Sequence, residues 1–457
     1  MYEKGQINME TSKRSFKEII TGEKIYFFYI AAVIALLPLG ELVSELFWGE
    51  QFVSQPRILA LFGGAGLASV IVFFLDGAKT PRFYPTDIFY VSLIFFASVS
   101  LIFTKNILFG TGGGGEWLIH YAAYFSLMFA GTMIEDIGLR KKILYVLAAA
   151  AVLNCIIAVF QSFGLRIMDC AFSTEYHNAT NAAFGLTLNC NYFAGLCTLF
   201  IGLSAGAFIF AAGKKAKLLS LALYALCFYS AIATTARIAW LGTLGVLFFY
   251  VISFIVMNVK KYDKIRLKNH WQRLGVIAAV SAAIFVYFAV FTDTISQSML
   301  EMLTDLNGDF EDFGSKRGYI WKYAFEAVPK NWLTGVGLDN FHYVFTSNPH
   351  WDHAYEAPRA HNEYIQTLVT QGIPAAVNYI ALLVYACVVG VRTVINTKDG
   401  EKRSLAWILL GMFAGYAAQA LVNSSVVDVA PYFWITLGMT MPKSEQKILR
   451  LKEKTVK

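Results

Sequence analysis

Runs of about 20 residues with almost no charge recur along this chain, and they restrict its fold more than any other feature. A helix needs about 20 apolar residues to cross about 30 Å of hydrocarbon. The chain has 457 residues, of which 57% are hydrophobic and 15% are charged, whereas ordinary soluble domains are about 45–50% apolar. The sequence therefore predicts an all-α integral membrane protein with about twelve transmembrane helices.

The predicted spans share this length and this low charge, and they lie at residues 25–44, 57–75, 85–103, 117–134, 143–163, 190–212, 217–235, 237–258, 274–292, 373–391, 405–423 and 427–442. Residues 293–362, in the longest interval between two spans, are polar and rich in aromatic residues. Long connections inside compact proteins are uncommon and usually functional. This interval is therefore the first place to look for chemistry.

Lys and Arg are distributed unevenly between the two sets of loops. With the N-terminus inside, most of the 38 Lys and Arg residues fall on the inner side, in clusters at 140–142, 260–273 and 443–457. Because cytoplasmic loops retain positive charge, we expect both termini in the cytoplasm and the loop 293–362 outside the cell membrane. The net charge of +7 is thus an orientation signal. Its scatter over several loops argues against nucleic-acid binding.

Two short amphipathic helices are predicted in this loop and immediately after it. The first begins at Arg317, carries apolar residues at helical spacing and ends at Pro329. The second begins at Asn362 and ends before Gly372, with Tyr364, Ile365, Leu368 and Val369 on an apolar side and Glu363, Gln366, Thr367 and Thr370 on a polar side. Helices of this type tend to lie flat at a membrane surface.

Three arginines on the predicted outer side are candidates for binding an anionic headgroup. Arg237 lies in a tight turn between two spans, Arg317 heads the first amphipathic helix, and Arg359 lies in the polar segment that ends the loop. Arginine presents a fixed fork of donors that matches phosphate oxygens. For Arg237 the alternative is a side chain that only extends to the membrane surface from a helix end.

His361 is the candidate general base. An imidazole with an ordinary pKa near ~6.5 accepts a proton close to physiological pH. The alternative is a loop histidine that only caps the helix beginning at Asn362. Nearby His342, His350 and His353 match no zinc spacing, and no cysteine accompanies them, so no metal is expected.

Four sequence segments stand out: Ala-Arg-Ile-Ala-Trp at 236–240, Lys-Arg-Gly-Tyr-Ile-Trp at 316–321, the Pro-to-Phe segment at 329–341 and His-Asn-Glu-Tyr at 361–364. Taken together, they resemble the O-antigen ligase and Wzy-type O-antigen polymerase superfamily over residues 185–395. Residues 188–194 are also similar to the family's entry to a span, with Cys190 where proline is common. Outside 185–395 the resemblance is one of topology only.

The resemblance implies a GT-C-like membrane glycosyltransferase that works on the extracytoplasmic face without a metal, nucleotide sugar or other cofactor. Its donor is an oligosaccharide on undecaprenyl pyrophosphate, and its acceptor is a glycan or lipid hydroxyl. By position, Arg237 and Arg317 would hold the pyrophosphate, with Arg359 as a further candidate. His361 would remove the proton from the acceptor. A chain-length regulator or a flippase is a candidate partner.

The predicted spans and the extent of the resemblance together divide the chain into three parts. These are N-terminal transmembrane helices at 1–184, a ligase or polymerase core at 185–395 and C-terminal helices with a basic tail at 396–457. The spans and the resemblance predict a multi-pass protein of the bacterial inner or plasma membrane. A transporter or flippase for lipid-linked sugars is the alternative, since about twelve spans with both ends inside is a common transporter layout. Transporters usually have ionisable groups near the midplane and paired halves, and the sequence shows neither.

Overall fold

A computed structural model describes residues 22–48, 63–66, 84–104, 106–107, 116, 118–165, 181–259, 263–351, 353 and 355–446, and every regular element in these residues is helical. The α-helices, numbered in chain order, are α1 Glu23–Trp48, α2 Pro85–Ile102, α3 Leu118–Met133, α4 Ile137–Ser162, α5 Cys190–Phe210, α6 Lys214–Ala233, α7 Ile238–Val259, α8 Lys264–Phe291, α9 Thr294–Asn307, α10 Phe313–Ala327, α11 Tyr343–Thr346, α12 Glu363–Gln371, α13 Ile373–Asn396, α14 Gly400–Gln419 and α15 Ala430–Thr440.

Eight of these helices are long and apolar enough to cross a membrane: α1, α2, α4, α5, α6, α7, α8 and α13. They coincide with eight of the predicted spans. The spans predicted at 117–134, 405–423 and 427–442 are the helices α3, α14 and α15, which are shorter or begin with charged residues. The span predicted at 57–75 lies outside the described residues apart from a helical turn at 63–66.

The bundle is built around α5, in which nearly every side chain is buried. Helix α5 packs against α6, α7 and above all α14. Its contact with α14 depends on Gly202, where an added Cβ would lie 2.6 Å from the Cα of Met412. Small residues of this kind let helix backbones approach closely in membranes. A similar contact joins α3 to α15, because a Cβ at Gly438 would lie 2.1 Å from the carbonyl oxygen of Met128.

The loop between α8 and α13 forms a small folded unit at one end of the bundle. This end of the bundle is called here the loop end. The folded unit has its own apolar core, made by residues of α10, α11, α12 and the segments between them: Tyr319, Ile320, Tyr323, Ala324, Phe341, Val344, Phe345, Ala357, Ala360, Ile365 and Val369. This core holds α12 against the start of α13 and holds α10 over α12. Residues 313–371 of the polar loop are therefore folded around a core of their own.

The predicted amphipathic helices exist, but their faces differ from the prediction. Regular helix begins at Arg317 within α10, and Phe325, one of the apolar residues at the predicted helical spacing, is 53% exposed while Tyr323 is buried. Helix α12 does not lie on the surface with its polar side in water, because Glu363 and Gln366 are buried. The reason is long-range pairing. Glu363 accepts hydrogen bonds from two tyrosines of α13 and α14, which the local pattern of α12 cannot reveal.

Candidate active site

The four predicted site residues come together at the loop end from three separate segments. Arg237 lies in the turn between α6 and α7, Arg317 starts the regular part of α10, and Arg359 and His361 precede α12. The charges of Arg317 and Arg359 both act on the imidazole of His361, and the charge of Arg237 acts on Arg317. The residues thus form one electrostatic cluster.

Arg237 points from its turn towards α9. Only residues 234–237 separate α6 from α7, and Thr235 takes a left-handed conformation with φ of 60°. The Nη1 of Arg237 donates to the Oδ2 of Asp305 at 2.5 Å, and its Nη2 donates to the Oγ of Ser315 at 3.3 Å. Glu301 lies 3.7 Å from the same Nη2. The guanidinium is therefore held in a defined place by protein groups.

Arg317 has a buried donor without an acceptor. Its Nη1 donates to the carbonyl oxygen of Gly314 at 2.9 Å, but its Nε is buried and has no hydrogen-bond partner in the described part of the chain. Burial lowers the pKa of Arg317, and the nearby Arg237 lowers it further. Buried polar groups are nearly always paired, so an orphan donor next to a second cation is suited to an oxygen of an anionic ligand.

His361 is placed by the residues on either side of it. Trp321 of α10 donates its indole N–H to the carbonyl oxygen of Ala360 at 2.9 Å. On the other side, Asn362 caps α12 by accepting from the backbone N–H groups of Tyr364 and Ile365. The side chain of Asn362 fills the capping role, which removes the alternative that His361 is present as a helix cap.

The backbone and the charge state of His361 are both unusual. Its φ is 48°, a left-handed conformation that is uncommon for a residue other than glycine. Burial lowers the pKa of His361 to about 4, and the charges of Arg317 and Arg359 contribute to this shift. The imidazole is therefore neutral at physiological pH, and no side-chain hydrogen bond to it is found within the described residues.

Arg359 is buried among carboxylates. Its Nη1 donates to the carbonyl oxygen of Ser425 at 2.8 Å and lies 3.5 Å from Glu116, and its Nη2 lies 3.6 Å from Asp339. Burial alone would lower the pKa of Arg359, but the two carboxylates more than offset this and raise it above its usual value. The guanidinium therefore joins three segments of the loop end, two residues before His361.

Left-handed backbone is concentrated around these side chains. Besides His361 and Thr235, it occurs at Ser315 and Lys316, directly before Arg317, and at Asp339, which faces Arg359. Such conformations cost about 1–3 kcal/mol each, persist only where the surroundings fix them and cluster at functional sites. Their positions support the cluster as the working site.

The sequence reasoning missed the acidic partners of the arginines. Asp305 and Glu301 belong to α9, a helix that was not predicted, although Met299, Met302 and Leu303 recur at helical spacing there. Glu116 precedes α3 and has no local signal at all. Asp339 is part of the segment 329–341 that carries the family resemblance, yet nothing in the sequence pairs it with Arg359.

A small cavity lies behind this cluster. Its lining includes Glu116, Glu363, Gln366 and Ser425, and its volume of about 20 Å³ is enough for roughly one water molecule. A lipid-linked headgroup does not fit there.

Comparison with known proteins finds a family match in the part of the chain that contains this cluster. Residues 219–380 match the family model of the O-antigen ligases, and this stretch contains Arg237, Arg317, Arg359 and His361. No curated protein matches the sequence significantly. The family acts on lipid-linked glycans in the membrane as a ligase or polymerase, and the apolar helices agree with a multi-pass bacterial membrane protein. The chain therefore contains an O-antigen ligase domain at residues 219–380.

Proposed function

We propose that this protein transfers a glycan from undecaprenyl pyrophosphate to an acceptor hydroxyl, with Arg317 and Arg237 binding the pyrophosphate and His361 acting as general base. The observation that carries the proposal is the buried, unpaired Nε of Arg317 beside a second arginine and a neutral histidine. A fork of N–H donors suits phosphate oxygens. A neutral imidazole can accept a proton.

In the proposed reaction, the oxygen of an acceptor hydroxyl attacks the anomeric carbon of the donor sugar. The bond between that carbon and the phosphate oxygen breaks, and the lipid pyrophosphate leaves with the electron pair. His361 takes the hydroxyl proton, and the two arginines stabilise the negative charge that grows on the leaving group. Because the Arg317 fork is held by the carbonyl oxygen of Gly314, little reorganisation of this arginine is needed as that charge develops.

Arg359 has a different part in this proposal. Its guanidinium already contacts Glu116, Asp339 and the carbonyl oxygen of Ser425, so it holds the segment that carries His361 and contributes a positive field there. The sequence-based expectation that Arg359 binds pyrophosphate directly is therefore replaced in the proposal by a positioning role.

The site is proposed to face the outside of the cell membrane, with both termini in the cytoplasm, because of the distribution of Lys and Arg. The acceptor is the next repeat unit in a polymerase or a core lipid glycan in a ligase, and the donor chemistry is the same in both. A flippase that delivers the donor, or a chain-length regulator, would be the partner. The catalytic core proposed at 185–395 encloses the matched residues 219–380.

An in vivo complementation assay tests the catalytic proposal. Surface polysaccharide would be measured with His361→Ala, Arg237→Ala and Arg317→Ala at equal protein level. We expect losses of about 100-fold or more for His361→Ala, since general bases contribute about 10²–10⁴-fold. Lys322→Ala, an exposed lysine of α10 that pairs with Glu311, is the matched control. Normal polysaccharide in all three site variants would overturn the proposal.

Thiol labelling tests the orientation separately. In a cysteine-free background, Lys330→Cys at the loop end and Lys398→Cys at the other end of α13 give exposed probes. Helix α13 has 24 residues and spans about 36 Å, so the two probes lie on opposite sides of a bilayer. A membrane-impermeant reagent added to intact cells should label position 330 and leave position 398 unlabelled. The reverse pattern would place the site in the cytoplasm.

A further inference from the structure

Helix α9 places two carboxylates on the arginine that is proposed to bind pyrophosphate. Asp305 lies 2.5 Å from Nη1 of Arg237 and Glu301 lies 3.7 Å from its Nη2. The two acidic residues are four positions apart, so they lie on one face of the helix. Both terminal nitrogens of Arg237 are thus engaged, and a phosphate oxygen cannot take the place of Asp305 while α9 is docked.

The contact between Arg237 and α9 carries a net negative charge. One guanidinium faces two carboxylates, so the local charge opposes an incoming anion. Arg317 differs, because within the described residues no carboxylate lies at ion-pair distance from it, and its Nε has no acceptor. Arg317 therefore keeps a buried donor without an acceptor, whereas each terminal nitrogen of Arg237 already donates to a protein oxygen.

Helix α9 is held in place by few buried side chains. Among its residues with described side chains, only Ile295 and Ser298 are buried, whereas Leu300 and Leu303 are 66% and 55% exposed. Its exposed apolar residues and its two acidic residues make it amphipathic, and amphipathic helices commonly lie at a membrane surface. A segment with so few buried contacts detaches at low free-energy cost.

The segment after α9 connects this helix to Arg317. Gly318, the neighbour of Arg317, packs so closely on that segment that an added Cβ would lie 1.6 Å from the carbonyl oxygen of Phe310. Residues 308–312 therefore cover the start of α10. A movement of α9 therefore acts on the segment that packs against Gly318, the neighbour of Arg317.

We propose that α9 is a gate helix whose Asp305 stands in for the donor at Arg237, and that the diphosphate of the donor displaces it on binding. This proposal rests on the proposed function, since it takes Arg237 as part of the donor site. When the diphosphate replaces the carboxylate of Asp305 at Arg237, α9 moves away at the membrane surface. Arg237 and Arg317 then both contact the diphosphate. In the absence of donor, the contact between Asp305 and Arg237 keeps the site closed.

The opposing interpretation is that Asp305 orients Arg237 for the donor and stays in place. The two interpretations predict opposite effects of Asp305→Asn, which keeps the shape of the side chain and removes its charge. A displaced carboxylate competes with the donor, so removing its charge tightens binding. An orienting carboxylate supports the donor site, so removing its charge weakens binding.

A binding titration distinguishes a displaced Asp305 from an orienting Asp305. The full-length protein in lipid nanodiscs would be titrated with undecaprenyl pyrophosphate. We expect Asp305→Asn to bind about tenfold more tightly than the natural protein, the size expected for loss of a charge-assisted hydrogen bond. Asp309→Asn is the matched control, because Asp309 is exposed, lies four residues away and forms no ion pair with Arg237, and it should leave the affinity unchanged.

A double-mutant cycle makes the result specific to the contact. In an Arg237→Ala background there is no guanidinium for which the Asp305 carboxylate and the diphosphate can compete. Asp305→Asn should then no longer tighten binding. Amide hydrogen exchange gives a second readout. Residues 294–307 should exchange faster when the lipid is added to the natural protein, and should already exchange faster without lipid in Asp305→Asn.

The outcomes separate the two proposals. Equal or weaker binding by Asp305→Asn, or unchanged exchange in α9 on adding lipid, overturns the gate and leaves the donor site intact if Arg237→Ala and Arg317→Ala still bind poorly. A natural protein that does not bind the lipid overturns both. Tighter binding that persists in the Arg237→Ala background shows a general charge effect and also overturns the gate.

Discussion

At the scale of single residues, the protonation state of His361 is set by its neighbours. Burial and the charges of Arg317 and Arg359 lower its pKa to about 4, which keeps the imidazole neutral. A base with so low a pKa is weak. An anion bound at Arg317 would cancel part of the positive field and raise the pKa of His361, so the donor itself would make the base stronger.

This coupling predicts a specific pH dependence. The base must be unprotonated, so the rate falls as the pH drops through its pKa. The acidic limb of kcat/KM reports the free enzyme and should lie near the pKa of about 4. The limb of kcat reports the donor complex and should lie about one pH unit higher. Initial rates with purified donor between pH 3.5 and 8 measure both. A kcat limb at or below that of kcat/KM would contradict the coupling.

The arginines should not tolerate lysine. A lysine at position 317 keeps the charge but has no Nε–H fork, and a lysine at 237 cannot bind two oxygens side by side. We expect at least a roughly tenfold loss of polysaccharide for Arg237→Lys and Arg317→Lys. Arg266→Lys, at an exposed pair with Asp263 on α8, is the control and should be silent. Full activity of both site variants would show that charge alone suffices.

At the scale of elements, the site depends on how the loop segments are tied together. Helix α12 is fixed at its start by Asn362, whose Nδ2 donates to the carbonyl oxygen of Leu421, and by the N–H of Glu363, which donates to that of Ala420. Both acceptors directly follow α14. The position of His361 is therefore set by the membrane bundle as well as by the loop.

Arg359 should be a stability residue as well as a positioning one. Its removal takes the cation away from the buried Glu116, and breaking such a buried pair typically costs about 3–5 kcal/mol. We expect Arg359→Gln to lower the thermal unfolding temperature in detergent clearly and to reduce activity with it. Arg237→Gln should reduce activity with little change in unfolding, because Arg237 is partly exposed. Equal unfolding temperatures for the two variants would show that Arg359 does not hold the loop.

At the scale of the whole molecule, close helix contacts transmit position to the site. The Gly202 contact sets the distance between α5 and α14, and the residues directly after α14 hold α12. A bulkier residue at 202 would move α14 away from α5. The effect on His361 would then arise far from the reacting atoms.

Gly202→Ala tests this connection. Its Cβ would lie 2.6 Å from the Cα of Met412, a backbone atom that cannot simply turn aside, so we expect destabilisation of about 1–3 kcal/mol and reduced activity. Gly275→Ala on α8 is the matched control, because no atom lies within 4 Å of its added Cβ. It should be neutral or slightly stabilising. Normal unfolding and activity of Gly202→Ala would show that the two helices can separate without consequence.

Local patterns in the sequence were enough to predict several parts of this structure. Apolar windows predicted the helical membrane fold, Pro329 marked the end of α10, and Asn362 and Gly372 marked the ends of α12. The tight turn at Arg237 was also predicted. Each of these depends on neighbouring residues along the chain, where spacing and backbone preference are sufficient guides.

The chain by itself determined which residues are suited to phosphate binding and proton transfer, because fork geometry and an imidazole are properties of the residue type. Only the tertiary structure decided their state. Asp305 reaches Arg237 from 68 positions away, Glu116 and Asp339 meet around Arg359, and burial makes His361 a neutral base. Charge interactions fall off with distance in space, so a sequence that fixes the charges does not reveal which of them will face one another.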